Sequence, residues 1–160
     1  MKVFFLANQV YQLSYAKSIY QKIGGEFIVP SYRKLAKFKW NLERGLIPSD
    51  EIKKSSPKII KRDIKNLSNL NGIIISQSNA IIKNHDGFGI TIFLGHGTGD
   101  KKYGGNPEIL LSYDYHFISG PKHLAKLEDV GVNISDDRLI SIGNPRFDHY
   151  LKNINSKKYY

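Results

Sequence analysis

Six short apolar runs recur along the chain: Val3–Ala7, Glu26–Val29, Gly72–Ser76, Ile90–Leu94, Tyr115–Ser119 and Arg138–Gly143. Each has strand length, and several read as near-continuous apolar segments of the kind buried on both faces of a parallel sheet. Helix-spaced segments alternate with them. Val10, Leu13, Tyr15, Ala16, Ile19, Tyr20 and Ile23 recur at mostly helical intervals, and Gly24-Gly25 supplies a stop. Gly120-Pro121 opens a second helical stretch to about Val130, with proline in the first turn. Tyr32, Leu35, Ala36, Phe38 and Trp40 fit an amphipathic helix, Ala80–Ile82 a short helix or strand, and Phe147–Leu151 the start of a last helix. This β-α repetition predicts an α/β fold: a Rossmann-like parallel sheet with helices on both faces. With 160 residues, one domain over 1–152 is expected, followed by a polar tail at 153–160.

The charge is uneven. The chain carries a formal +10, and residues 31–65 hold eleven Lys or Arg against four acidic residues. That segment, broken by Pro48 and Pro57, reads as a basic insertion or helical segment. It suits an anionic membrane surface, a polyanionic chain or nucleic acid, or else a solvated face. No apolar run approaches the length that spans a bilayer, about 20 residues. Met1–Ala7 is too short for a signal peptide and is interrupted by Asn8-Gln9, so it reads as a first buried strand. The absence of cysteine excludes disulfides and thiolate metal sites and fits a cytoplasmic setting.

Three clusters carry the chemistry. The first follows the run Ile90–Leu94: Gly95-His96-Gly97-Thr98-Gly99-Asp100-Lys101-Lys102-Tyr103-Gly104. Ligands of open α/β sheets bind beyond the carboxyl ends of the strands. A histidine there offers a base that titrates near neutrality. Gly97 and Gly99 allow backbone N–H groups to approach an anion or simply form turns. Lys101 and Lys102 offer point charges to phosphates or to solvent, and Asp100 orients an imidazole or caps a helix. The ending excludes a Walker A loop, and the glycine spacing is not a dinucleotide fingerprint. The second cluster, Ser119-Gly120-Pro121-Lys122, is an anion site at a helix start or a serine-capped turn. The third is Ile142-Gly143-Asn144-Pro145-Arg146-Phe147-Asp148, where Arg146 grips a phosphate or pairs with Asp148. His85, His116, His123 and His149 lack metal-ligand spacing and read as structural or exposed.

In order and spacing, three stretches resemble the CDP-glycerol glycerophosphotransferase family, the teichoic acid polymerases and primases of Gram-positive bacteria. They are His96–Gly104, Tyr113-Asp114-Tyr115-His116-Phe117-Ile118-Ser119-Gly120-Pro121 and Ile142–Asp148. The resemblance covers about residues 90–150. It implies one half of a GT-B fold, the acceptor-side domain. It implies that His96 is the general base, taking a proton from an acceptor hydroxyl that attacks the β-phosphorus of a CDP-alditol. Gly97, Thr98, Gly99, Lys101, Lys102, Ser119, Gly120 and Arg146 would hold substrate. No metal and no cofactor are implied. The partners it implies are the CDP-alditol donor, a lipid-linked polyanionic acceptor and the inner face of the plasma membrane.

In that family a nucleotide-binding domain follows the third stretch. The 160 residues contain none, so the chain alone is expected to show little or no transferase activity and to need a partner donor domain. Two other readings compete. One is the N-terminal half of another GT-B glycosyltransferase or nucleotide-sugar 2-epimerase. The other is a non-catalytic module for an anionic polymer.

Overall fold

The computed structural model describes residues 1–43, 58–61, 67, 70–78, 82, 89–95 and 106–148. Seven strands form one sheet: β1 (Val3–Leu6), β2 (Glu26–Val29), β3 (Lys58–Lys61), β4 (Ile73–Ser76), β5 (Ile90–Phe93), β6 (Tyr115–Ile118) and β7 (Leu139–Ser141). Four α-helices are described: α1 (Val10–Ile23), α2 (Tyr32–Glu43), α3 (Pro107–Leu111) and α4 (Pro121–Glu128). Single 3₁₀ turns occupy Asp136–Arg138 and Pro145–Phe147.

Every strand pair is parallel, in the order β3-β2-β1-β4-β5-β6-β7. The first six positions follow the Rossmann order, in which the winding reverses beside β1. The expected α/β fold is therefore present, with one strand more than the six apolar runs. The addition, β3, lies within the basic segment and pairs Phe27 with Ile59 and Ile28 with Ile60. That segment supplies α2 and an edge strand of the sheet.

Alternation along the strands divides the core into two layers. Phe4, Leu6, Ile74, Phe93 and Ile118 face the layer of α3 and α4, with Leu110, Tyr113, Leu127 and Val132. Phe5, Ala7, Phe27, Ile75 and Ile92 face α1 and α2, with Tyr15, Ala16 and Phe38. Helices thus cover both faces. Each fully buried aromatic or aliphatic side chain contributes about 1.5–3 kcal/mol of transfer free energy.

The helix ends follow local chemistry. Gly24, at φ +68°, closes α1 and donates its N–H to the Tyr20 carbonyl at 2.8 Å. Asn-Pro is used twice. Asn106 accepts from the Glu108 N–H at 2.9 Å to start α3, and Asn144 accepts from the Arg146 N–H at 3.2 Å to start the last turn. Helix α4 ends at Glu128 rather than Val130. Residues 149–151 of the expected last helix, and residues 80 and 81, lie outside the described residues.

Candidate functional site at the carboxyl edge of the sheet

The carboxyl ends of β1, β4, β5, β6 and β7 lie along one edge of the sheet. Strands β5, β6 and β7 each give way to a glycine at positive φ: Gly95 at +65°, Gly120 at +147° and Gly143 at +71°. These turns send the chain away from the sheet at neighbouring positions. Of the expected site residues, Ser119, Gly120 and Arg146 are described. His96, Gly97, Thr98, Gly99, Lys101 and Lys102 lie outside the described residues, with Gly95 the last described residue before them.

Ser119 and Arg146, 27 positions apart in sequence, meet around Tyr15 of α1. The Arg146 guanidinium carbon stands 5.4 Å from the centre of the Tyr15 ring, a cation–π arrangement. The Ser119 side chain lies near enough to the Tyr15 hydroxyl to act on its titration. Burial raises the pKa of that hydroxyl, and Arg146 and Ser119 partly oppose the shift. The phenol therefore stays neutral at pH 7. Ser18 anchors the same turn by donating to the Pro145 carbonyl at 2.9 Å.

Ser119 also meets His123 of α4. Its N–H donates to His123 Nδ1 at 3.3 Å, and its hydroxyl oxygen is 3.3 Å from the same nitrogen. Burial, with Lys126 nearby, lowers the His123 pKa to about 4. The imidazole is neutral at pH 7, and its accepting Nδ1 places the ring proton on Nε2. Ser119 thus stands at the edge between the layers, near Tyr15 of one and touching His123 of the other.

Two local expectations change. Gly120, not Ser119, occupies the cap position of α4, and no side chain caps that helix. Asp148 does not pair with Arg146. It meets Lys22 of α1 at 3.5 Å, leaving Arg146 to its ring contact.

The second stretch of the resemblance contains a structural carboxylate. Asp114 accepts from the Thr91 N–H at 2.7 Å and the Thr91 hydroxyl at 2.8 Å, joining the start of β6 to β5. Its neighbour His116 is fully buried between the rings of Phe93 and Tyr113. Neither ring nitrogen has a hydrogen-bond partner among the described residues. Burial, then the charges of Arg138 and His123, bring its pKa down to about 4.

The switch point holds residues that the motif reading passed over. Beyond β1 and β4, Gln12 and Gln77 exchange amide bonds. Gln12 Nε2 donates to the Gln77 carbonyl at 2.8 Å, and Gln77 Nε2 donates to the Gln12 carbonyl at 2.6 Å. Gln12 Oε1 takes the N–H groups of Asn8 at 2.5 Å and Gln9 at 2.9 Å. Those backbone donors, which would face pyrophosphate in a dinucleotide-binding turn, are occupied by a side chain of the protein. Asn8 then bridges outward to Ser78 and Lys34. The only sequence signal was Asn8-Gln9 interrupting an apolar run.

Among the described residues, no three His, Asp or Glu side chains converge as a metal site requires. No described helix is long and apolar enough to cross a membrane. No protein-family model, curated protein or solved structure matches the chain.

Proposed function

We propose that the chain is the acceptor-side domain of a glycerophosphotransferase, moving an alditol phosphate from a CDP-alditol to a hydroxyl of a teichoic-acid-like polymer. The observation that carries this reading is the meeting of Ser119 and Arg146 at Tyr15. Two of the three stretches that resemble the family converge there on the ligand-binding edge of a parallel sheet. The remaining stretch, His96–Gly104, follows Gly95 directly in sequence, and Gly95 lies just beyond β5.

The acceptor oxygen attacks the β-phosphorus of the donor, and His96 takes its proton. A new P–O bond forms, the bond to the CMP oxygen breaks, and CMP leaves. Arg146, held against the Tyr15 ring, offers its guanidinium to phosphoryl oxygens. Gly97, Thr98, Gly99, Lys101, Lys102, Ser119 and Gly120 complete the substrate contacts in this reading. A donor-binding domain would supply the other wall of the cleft, because orientation of the two reactants accounts for much of such catalysis.

The test combines the chain with a separately expressed nucleotide-binding domain, CDP-glycerol and a lipid-linked acceptor. CMP release is expected in the mixture and not from the chain alone. His96→Ala is expected to lower turnover by about 100-fold or more, the usual contribution of a general base. Normal turnover by that variant would remove His96 from the mechanism.

One observation favours a polymer-binding module instead. Helix α2 exposes Tyr32, Arg33, Lys37, Lys39 and Trp40 together. That reading expects polymer binding to fall with charge removal on α2 and to be unaffected by His96→Ala.

A further inference from the structure

The crevice beside β1 and β4 is crossed by a hydrogen-bonded chain from three elements. Lys34 Nζ, from the first turn of α2, donates to Asn8 Oδ1 at 3.2 Å. Asn8 Nδ2, beyond β1, donates to Ser78 Oγ at 2.8 Å. Ser78, beyond β4, is held through its carbonyl by Ser76 Oγ at 2.8 Å and the Tyr113 hydroxyl at 3.2 Å. All three side chains are half-buried. They stand where the winding of the sheet reverses, the general ligand position of such folds.

What remains unspent in this chain is nearly all donor. Asn8 Oδ1 is taken by Lys34, and Ser78 Oγ already accepts from Asn8. Among the described residues, the Ser78 hydroxyl proton has no acceptor and Lys34 has no carboxylate partner. The ammonium keeps two further N–H bonds and Asn8 Nδ2 keeps one. Such a set fits an oxyanion with several acceptor oxygens and is wrong for a cation.

The placement of Lys34 adds an electrostatic argument. Helix α2 has no acidic residue in its first turn, which instead carries Arg33 and Lys34. Cations at the positive end of a helix dipole are unfavourable. A bound anion reverses that sign. The N–H groups of Asn8 and Gln9, just ahead of α1, are meanwhile occupied by Gln12 Oε1, and Lys34 supplies positive charge at this point.

We propose that Lys34, Asn8 and Ser78 form a phosphate-binding subsite at the switch point, separate from Ser119 and Arg146. The subsite rests on topology and donor chemistry and stands independently of phosphoryl transfer. Where the transferase reading holds, it receives a non-reacting phosphate of the acceptor.

Inorganic phosphate and glycerol 3-phosphate, titrated separately into the ¹⁵N-labelled full chain at constant ionic strength, test the assignment. Saturable amide shifts are expected at Lys34, Asn8 and Ser78. K34Q is expected to weaken binding at least fivefold and S78A about two- to threefold. K39Q removes the same charge from an exposed position of the same helix and should change binding by less than twofold. Unchanged melting temperatures exclude misfolding of the variants. Tighter binding of glycerol 3-phosphate identifies a phosphate carried on an alditol; equal binding identifies a site for free phosphate. Equal weakening by K34Q and K39Q, absence of saturable binding, or shifts centred on Arg146 would each overturn the subsite. His96→Ala should leave this binding intact, so loss of turnover and loss of the subsite are read separately.

Discussion

Lowering the pH from 7 to 5 is expected to remove about 4 kcal/mol of folding free energy through two buried histidines. His116 and His123 each have a folded pKa of about 4. In the unfolded chain each returns to about 6.5. Between those values the unfolded state binds more protons, so stability rises with pH. It is fully present above the unfolded pKa and is lost as pH falls from about 6.5 towards 4. The difference between about 6.5 and about 4 corresponds to about 3 kcal/mol per histidine over the whole window, of which about 2 kcal/mol is lost by pH 5. The steepest slope, near pH 5, is about 2 kcal/mol per pH unit for the pair. Small domains have only about 5–15 kcal/mol in total, so this loss is a large fraction of the stability, and a domain at the low end of that range unfolds near pH 4.

Urea titrations at pH 7, 6, 5.5 and 5 measure this directly. With a slope near 2 kcal/mol/M, the midpoint should fall by about 2 M between pH 7 and 5. His116→Phe separates the contributions. Its ring sits among Phe93 and Tyr113, and removing two buried nitrogens that lack partners among the described residues relieves a desolvation cost. The variant should be at least as stable as the parent at pH 7 and lose about half as much stability on acidification. An unfolding free energy that stays flat from pH 7 to 5 would refute the buried, neutral state of both rings.

Three further changes probe the frame around the site. At Gly72, φ +155°, an added Cβ would lie 2.4 Å from the Lys2 carbonyl oxygen that accepts the Ile73 N–H, whereas at Gly131, φ +73°, it would meet nothing within 4 Å. Denaturant unfolding should therefore show a loss of about 3–4 kcal/mol for Gly72→Ala, strain plus a damaged bond, against about 1 kcal/mol for Gly131→Ala. Asp114→Ala strands the buried Thr91 hydroxyl and N–H and should cost about 2–4 kcal/mol, while Asp114→Asn keeps one acceptor and costs less. Arg146→Ala should cost no more than about 1 kcal/mol of stability, the size of an exposed cation–π contact. In the two-domain assay it should nevertheless lower transfer by tenfold or more.

The contrast between frame and site follows from the range of the interactions. The six strands legible in sequence carry apolar runs whose period is local. The seventh, Lys58–Lys61, was hidden because only Ile59-Ile60 is apolar, Pro57 precedes it and lysines flank it, as suits an edge strand protected from further pairing. The five-residue α3 is too short for a periodic signal, although Asn106-Pro107 announces it as Asn144-Pro145 announces the last turn. Tyr15 read as one more apolar position of α1. Its role emerges only when Ser119 and Arg146 arrive from the other half of the chain. Asn8 is the sharper case. Next to β1 in sequence it is a polar residue ending a strand, and nothing local distinguishes it from a turn former. The strand order places it opposite Ser78 and under Lys34, partners 70 and 26 positions away. A pairing between β1 and β4 is a long-range choice of the whole sheet, so the chemistry of the switch point becomes legible only with the topology that creates it.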